Sequence, residues 1–215
     1  MQLRNSRRPV VVTVLVVLVA LVTVPNAIAY HDAYFGSNWA VGSHCDTTVA
    51  SQCIANDAAH HYTLSGLSTA RADATTRGFV TYGGNSDLNV STLYPWDVIV
   101  VQEYHSDIDA YAWTRCAPQG PYGGQYGGSE ANHTRWCSPQ YIVWNTWETA
   151  ANKVNSTAKY NFIGCHESGH TVGLRHRSTS PVPCMRTGAP PSSSTPVPTV
   201  ENPTSEEYTR INLHY

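Results

Sequence analysis

The sequence predicts a single domain of the α+β class behind an N-terminal leader. Short apolar runs of strand type lie in the middle of the chain, and the segment with the clearest helical character, Ala158–Gly173, follows them. A helix-capping pattern near the C-terminus predicts one further short helix. Strands and helices together, in a chain of this length, fit one compact body with its own core.

The first 29 residues have the layout of a signal peptide. Three arginines precede an almost entirely apolar run over 10–24, and Ala27-Ile28-Ala29 supplies the small residues that a signal peptidase accepts. A run of about 15 apolar residues is short for a membrane span, which needs roughly 20. We therefore expect cleavage after Ala29 and a secreted, extracellular domain over 30–215, with an uncleaved anchor as the alternative. No later segment is apolar enough to span a bilayer, so no membrane contact is expected after cleavage.

Charge excludes nucleic acid as a partner. The chain has 13 Lys+Arg and 15 Asp+Glu, and three of the arginines lie in the leader, which leaves 10 basic against 15 acidic residues, a net charge of −5. The only lysines are Lys153 and Lys159, and there is no basic stripe of the kind that binds phosphate backbones. We expect a monomer.

Cysteine usage indicates disulfide bonds. An even number of cysteines after an export signal is typical of an oxidised, extracellular protein. Six cysteines allow 15 pairings, and their clustering along the chain favours three bridges between sequence neighbours. The alternative is that one pair stays reduced as small buried hydrophobes. The predicted pairs are Cys45–Cys53, Cys116–Cys137 and Cys165–Cys184.

The first half of the domain predicts one helix and three strands. Residues 30–51 suggest loops with one short strand, and the Ala-rich segment Ser65–Thr76 predicts a helix. The β-branched run Asp97–Val101 is the clearest strand, because it is short, apolar and preceded by Tyr-Pro-Trp. Ala110–Trp113 predicts a second strand and Tyr141–Trp144 a third, with a Gly-rich loop over 119–128 between them.

The second half predicts helices. Glu148–Val154 and Ala158–Gly173 have helical patterns, and Gly173 supplies a C-terminal stop. The Ser-, Thr- and Pro-rich segment Ser178–Pro203 predicts irregular structure. Beyond it, Thr204 and Glu207 stand three residues apart as in a capping box, which predicts a short C-terminal helix that packs back on the body.

Residues 166–176 carry the chemistry. They read His-Glu-Ser-Gly-His-Thr-Val-Gly-Leu-Arg-His. His166 and His170 are four residues apart, so a helix places both imidazoles on one face, where they can reach one ion. Gly173 can adopt positive φ and turn the chain, which frees His176 to approach as a third ligand. The fixed residues of the motif are the three histidines, Glu167 and Gly173. At roughly 5% usage each, these five residues should coincide by chance in about one chain of this length in 10⁴.

This spacing is typical of a catalytic zinc ion. Three imidazole ligands leave a fourth position for water, whereas a structural zinc is closed by four protein ligands. Glu167 lies beside the ligand face, where its carboxylate can take a proton from that water without binding the metal. We therefore expect one catalytic Zn²⁺ held by His166, His170 and His176. A structural Ca²⁺ is left open, with no ligands assigned.

The motif resembles the signature of the metzincin clan of metalloproteases, in which an elongated zinc motif precedes a methionine turn. A methionine, Met185, follows His176 by nine residues. The resemblance covers 166–185 and is greatest to compact, matrixin-like secreted bacterial proteases. It implies a twisted, mostly parallel sheet with an active-site helix, and Met185 as an apolar floor beneath the zinc. The strand near Ala110–Trp113 would be the edge that binds an extended protein or peptide substrate.

Two features of the resembling families are missing. Thr187 stands where some branches have a tyrosine ligand, so we expect three histidines plus water. Arg115-Cys116-Ala117-Pro118 is only faintly similar to the matrixin propeptide switch, which leaves the means of latency open.

The sequence thus predicts a secreted zinc-dependent endopeptidase. Two alternatives remain: a secreted zinc-binding protein without protease activity, and a zinc hydrolase of cell-wall peptide. The polar cluster His105, Asp107 and Asp109 could bind a second, structural metal or form a solvated loop. The aromatic residues Trp136, Tyr141, Trp144 and Trp147 are interpreted as core in preference to a carbohydrate platform.

Overall fold

The described part of the computed structural model contains a five-stranded sheet, a two-stranded ribbon and three helices. The structure describes residues 55, 57–108, 110–117, 125–127, 136–147, 152–174, 176, 184–185 and 202–215. The predicted signal peptide, residues 30–51 and the predicted Cys45–Cys53 pair lie outside these ranges. The elements are β1 (Ala59–Leu64), α1 (Thr69–Gly83), β2 (Asn89–Ser91), β3 (Val98–Glu103), β4 (Ala112–Cys116), β5 (Gln125–Gly127), β6 (Trp136–Ser138), β7 (Gln140–Asn145), α2 (Thr157–Thr171) and α3 (Ser205–His214).

The main sheet is mostly parallel. Its strand order is β2-β1-β3-β7-β4, and only β4 runs antiparallel to its neighbour. Within the described residues β4 is an edge strand, paired to β7 with Thr114 opposite Ile142. β5 and β6 form a separate two-stranded antiparallel ribbon. This arrangement confirms the α+β class and the mostly parallel sheet.

The core lies between the sheet and helices α1 and α2. Val98 and Val100 of β3 are fully buried on one sheet face, whereas β7 is buried on both faces from Ile142 to Asn145. The two helices meet very closely, since a Cβ on Gly78 would lie 2.5 Å from the carbonyl oxygen of Gly164. Small residues at this crossing therefore let α2 lie deep against α1. The fully buried side chains include Val98, Val100, Ile142, Trp144, Phe79 and Tyr82.

Helix starts follow the capping chemistry of the sequence. The Ser156 hydroxyl accepts a hydrogen bond from the Lys159 backbone N–H and begins α2. Thr204 and Glu207 form the predicted capping box at the start of α3. Ile211 of α3 is fully buried, and the Tyr215 hydroxyl donates to the Val172 carbonyl oxygen at 3.3 Å. The short C-terminal helix therefore packs against the body as predicted.

Several boundaries and elements were predicted wrongly. Helix α1 occupies Thr69–Gly83 and not Ser65–Thr76, because Gly66 has φ of +66° and the chain enters the helix only after Ser68. β4 begins two residues later than predicted. The Gly-rich loop contains β5, and the sequence analysis did not find β1, β2 or β6.

The helix predicted over Glu148–Val154 is wrong in its described part. Asn152 and Lys153 form a turn, and Val154 lies in irregular chain before α2 begins. The remainder of that segment and most of Ser178–Pro203 lie outside the described residues. No helix in the described ranges has the length and apolar character to cross a membrane.

Candidate metal centre

Helix α2 presents two of the predicted ligands on one face. His166 and His170 are one turn apart, and their Nε2 atoms lie 3.2 Å from each other. The helix packs on α1 through its small residues and on β4 at its C-terminal half. His170 is buried, and His166 is half-buried.

The end of α2 turns the chain back toward these two rings. Val172 is the C-cap, and Gly173 follows with φ of +93°, as predicted. The Gly173 N–H donates to the His170 carbonyl and the Leu174 N–H to the Gly169 carbonyl, each at 3.0 Å. These paired bonds define a Schellman motif, which requires a left-handed residue at the position of Gly173.

His176 completes the group. Its Nε2 atom lies 3.0 Å from the Nε2 atoms of both His166 and His170, and the ring is exposed. In the described part of the chain, this is the one group of three or more His, Cys, Asp or Glu side chains that could hold a metal ion. The structure therefore brings together the three ligands predicted from the motif.

Backbone carbonyls fix the protonation pattern of two rings. The Nδ1–H of His166 donates to the Cys184 carbonyl, and the Nδ1–H of His170 donates to the Leu174 carbonyl, both at 2.7 Å. A neutral imidazole that donates from Nδ1 has its lone pair on Nε2. Lone pairs of the two helix ligands thus converge with the Nε2 atom of His176. Metal-binding histidines in proteins are commonly oriented by such contacts.

The donor set fits a metal ion of zinc type. Zn–N bonds of about 2.0–2.1 Å at tetrahedral angles place ligand nitrogens about 3.3 Å apart. The three separations observed are 3.0–3.2 Å. Nitrogen lone pairs at this distance repel one another unless a cation or protons lie between them. Three protein ligands also leave coordination positions open to other molecules.

The local environment keeps these rings neutral. Burial lowers the pKa of His166 to about 4, with a further decrease from His176 and an opposing effect of the Cys184 carbonyl. Burial, and then the two neighbouring rings, lower the pKa of His170 well below its usual value. Burial also lowers the pKa of His176. At neutral pH all three imidazoles are therefore available as ligands.

Glu167 is held away from the ligand group by the edge strand. Its carboxylate accepts a hydrogen bond of 2.9 Å from the Thr114 hydroxyl, which also lies 3.1 Å from the Glu167 carbonyl oxygen. Glu167 is only 5% exposed, and burial raises its pKa to about 7 although the Thr114 hydrogen bond lowers it. A carboxylate in this state can exchange a proton near neutral pH.

Met185 and a disulfide lie beneath the helix. Met185 is fully buried, and its sulfur packs against Gly169, directly before the second ligand. Cys165 and Cys184 form one predicted bridge, and Cys116 and Cys137 form the other. Two of the three predicted pairings are therefore confirmed.

Thr171, next to the second ligand, is held by two sheet residues that the sequence analysis did not find. The Thr171 hydroxyl donates to the Ser168 carbonyl at 2.7 Å, so it accepts from the Nε2–H of His60 at 2.9 Å. Gln140 donates to the Thr171 carbonyl at 2.8 Å. Both partners are buried on the sheet, and burial lowers the pKa of His60 to about 3. Neither residue lies in a predicted strand, because β1 was not predicted and the predicted third strand begins at Tyr141, so the sequence offered no signal for them.

The proposed second metal group is not formed by the described members of that cluster. The Nε2 atom of His105 lies 2.8 Å from a Glu103 carboxylate oxygen, and its Nδ1 atom lies 3.8 Å from Asp107. Asn145 binds the backbone of the same loop, donating to the carbonyls of His105 and Ala110. Asp109 lies outside the described residues. The loop is organised by hydrogen bonds, in agreement with the alternative interpretation.

Two of the four aromatic residues interpreted as core, Trp144 and Trp136, lie in the core or against it, whereas Tyr141 and Trp147 are partly exposed and do not join it. Trp144 is 1% exposed, and its indole N–H donates to the Thr75 hydroxyl. Trp136 is partly buried against the core.

A scan of the sequence against protein-family models gives no match, and no curated protein matches it either.

Proposed function

We propose that the protein is a secreted, zinc-dependent endopeptidase with a metzincin-like catalytic domain. The observation that supports this most strongly is the convergence of three histidine Nε2 atoms, with the buried Glu167 directly after the first of these ligands on α2. A metal ion held only for structure needs no such carboxylate, whereas hydrolysis does. Zinc is preferred because three imidazoles with an open position are its usual catalytic ligand set.

His166, His170 and His176 would hold the ion. When bound there, zinc would polarise a substrate carbonyl and lower the pKa of water. Glu167 takes a proton from the attacking water and passes it to the nitrogen of the leaving amine. The Thr114 hydroxyl donates to the Glu167 carboxylate and orients this base, which is not one of the three ligands.

Strand β4 would bind the substrate. It forms the edge of the sheet nearest the site, because Thr114 contacts Glu167 directly. The outer strand of a sheet can pair through its backbone N–H and C=O groups with an extended peptide, which adds as a further strand. We therefore propose a polypeptide in extended conformation as the substrate.

Secretion fits two disulfide bonds in the described part of the chain and the leader that precedes it. Disulfides persist in oxidising compartments and are rare in the cytosol. The monomeric state and the matrixin-like character stay predictions from the sequence.

The proposal is tested with the exported protein, purified from the medium. Zinc content is measured by mass spectrometry of the metal, and cleavage is measured on a defined peptide library before chelation, after chelation and after zinc is restored. We expect one zinc ion per chain and internal peptide-bond cleavage that is lost with the metal and returns with it.

Two histidine variants provide the matched comparison. His170→Ala should lose both zinc and cleavage, whereas His61→Ala, which changes a histidine on β1 outside the site, should retain both. Bound zinc with cleavage of no peptide would contradict the proposal and support a non-catalytic zinc-binding protein. Cleavage restricted to cell-wall peptides would support the other alternative.

A further inference from the structure

One disulfide touches the candidate metal centre directly. Cys165 immediately precedes the first ligand on α2, and Cys184 immediately precedes Met185. Both cysteines are buried, at 1% and 0% exposure. The bridge therefore joins the ligand helix to the segment that packs beneath it.

The bridge also includes the residue that binds the His166 ring through its carbonyl group. The His166 Nδ1–H donates to the carbonyl of Cys184 at 2.7 Å. The corresponding partner of His170 is the Leu174 carbonyl, which the helix end supplies by itself. His166 is thus the ligand whose orienting contact comes from a distant segment, 18 residues along the chain, and a covalent bond holds that segment in place.

Tyr82 and Met185 pack around the same bridge. The Tyr82 hydroxyl lies 3.4 Å from the Cys184 sulfur and 3.9 Å from the Cys165 sulfur. Both Tyr82 and Met185 contact Gly169, which lies between the two helix ligands. The bridge, the tyrosine and the methionine together hold residues 184–185 against the underside of α2.

We propose that the Cys165–Cys184 bridge is a positioning device that sets the affinity of the metal centre, so that disulfide closure and metal binding reinforce each other. The inference rests on the proposed metal-binding function. With the bridge open, the Cys184 carbonyl is free to leave, and the His166 ring loses the contact that orients its Nε2 lone pair. Loss of such an orienting partner commonly weakens metal affinity by roughly 10- to 100-fold.

Linkage makes the effect reciprocal. If closure of the bridge raises metal affinity by some factor, bound metal must raise the equilibrium constant for closure by the same factor. Opening is a two-electron reduction in which the bridge and two molecules of glutathione give two protein thiols and one glutathione disulfide. The Cys116–Cys137 bridge joins β4 to β6 and includes neither α2 nor residues 184–185, so it serves as the internal control.

The first experiment compares two double variants. Cys165→Ala with Cys184→Ala should bind zinc roughly 10- to 100-fold more weakly than wild type in competition with a chromophoric chelator. Cys116→Ala with Cys137→Ala should remain within about threefold, although it also loses a stabilising bridge. Circular dichroism establishes that each variant is folded. Wild-type zinc affinity in the folded first variant would overturn the proposal.

The second experiment uses only wild-type protein and decides the matter if the first variant does not fold. The protein is equilibrated in glutathione redox buffers with free zinc either absent or fixed by a metal buffer. Thiols are then alkylated and each bridge is quantified by mass spectrometry. Zinc should stabilise Cys165–Cys184 by at least roughly tenfold and Cys116–Cys137 by much less. Equal effects on both bridges would overturn the proposal, because general stabilisation of the fold would account for them.

These outcomes are separate from those for the proposed function. A wild-type protein that binds zinc and cleaves peptides, but whose affinity is independent of the bridge, contradicts only this inference. A wild-type protein that binds no zinc contradicts the metal centre and this inference with it.

Discussion

Two backbone carbonyls determine what the helix ligands can do. Nδ1 of His166 is engaged by Cys184 and Nδ1 of His170 by Leu174. Each ring therefore directs its second nitrogen toward the shared site. The ligands themselves were predictable, because the helical period brings residues four apart onto one face. The carbonyl groups that accept from their Nδ1 atoms were not predictable, because every residue has a carbonyl group and the direction of that group depends on the fold.

Glu167 differs from an ordinary surface glutamate because it is buried against β4. Burial raises its pKa to about 7, and the Thr114 hydroxyl opposes this by stabilising the charged form. Thr114 lies 53 residues earlier in the chain. The sequence analysis identified Glu167 from its place in the motif, and it had no local signal for Thr114.

Replacement of Thr114 by valine tests this hydrogen bond. The change removes the hydroxyl with little change of shape, so the pKa of Glu167 should rise further. A general base acts in its charged form. As the pH is lowered, kcat/KM of the variant should therefore begin to fall at a higher pH than kcat/KM of wild type. The loss of activity should be larger at pH 6 than at pH 8, as measured with a fluorogenic peptide across this range.

Thr114→Ser is the control, because serine keeps the hydroxyl and loses only a methyl group. Its acidic limb should stay close to that of wild type. Coincident pH profiles for Thr114→Val and wild type would show that Thr114 does not tune the base.

At the scale of elements, the end of α2 positions the third ligand. The helix stops at a Schellman motif, and the left-handed conformation of Gly173 sends the chain back toward His176. Gly173 was predictable because a glycine between two ligands of a helical motif is a common helix end. A glycine was less informative at the start of α1. Ser65 and Gly66 were predicted to lie inside that helix, and both precede it.

Gly173→Ala should destabilise the protein by about 1–2 kcal/mol, since a residue with a Cβ is strained in the left-handed region. Zinc affinity should fall as well, because relaxation of the turn displaces His176. Urea denaturation of the metal-free protein and zinc competition measure the two effects.

Gly84→Ala is the matched control for this substitution. Gly84 ends α1 with φ of −74°, an ordinary value for alanine, and a Cβ there would lie 3.1 Å from the Val80 carbonyl oxygen. Its variant should therefore lose less stability than Gly173→Ala, at most about 1 kcal/mol. Equal effects of the two substitutions would contradict the role assigned to the turn at Gly173.

The strands that were predicted and those that were missed differ in composition. β3 and β7 contain continuous apolar runs because both are interior strands of the sheet. β1 is also interior, but it contains His60 and His61, and a buried histidine reduces the apolar signal. β2, β5 and β6 have three residues each, which is too short for a period to be seen.

At the scale of the whole molecule, the helices and the sheet edge meet at one site. α1 packs closely against α2, Thr114 of β4 donates a hydrogen bond to Glu167, and the disulfide links α2 to Cys184, next to Met185. The α+β class and the mostly parallel sheet were predictable from the residues and the resemblance. Assignment to the metzincin clan stays a prediction, carried by the motif over 166–185.

The hydrolysis proposed for this molecule requires two separable parts, a metal site and a base. The histidines form the first without Glu167, whose carboxylate is bonded to Thr114. Removal of the base should therefore leave the metal site intact, whereas removal of a ligand should abolish both metal binding and catalysis.

The most direct test is Glu167→Gln, which keeps the size of the side chain and removes its capacity as a base. Zinc stoichiometry and cleavage of one sequenced peptide are measured on the same preparation. We predict one zinc ion per chain and a kcat lowered by roughly 10²- to 10⁴-fold. Wild-type turnover by the zinc-loaded variant would contradict the mechanism, and loss of zinc from it would contradict the separation of base from ligands.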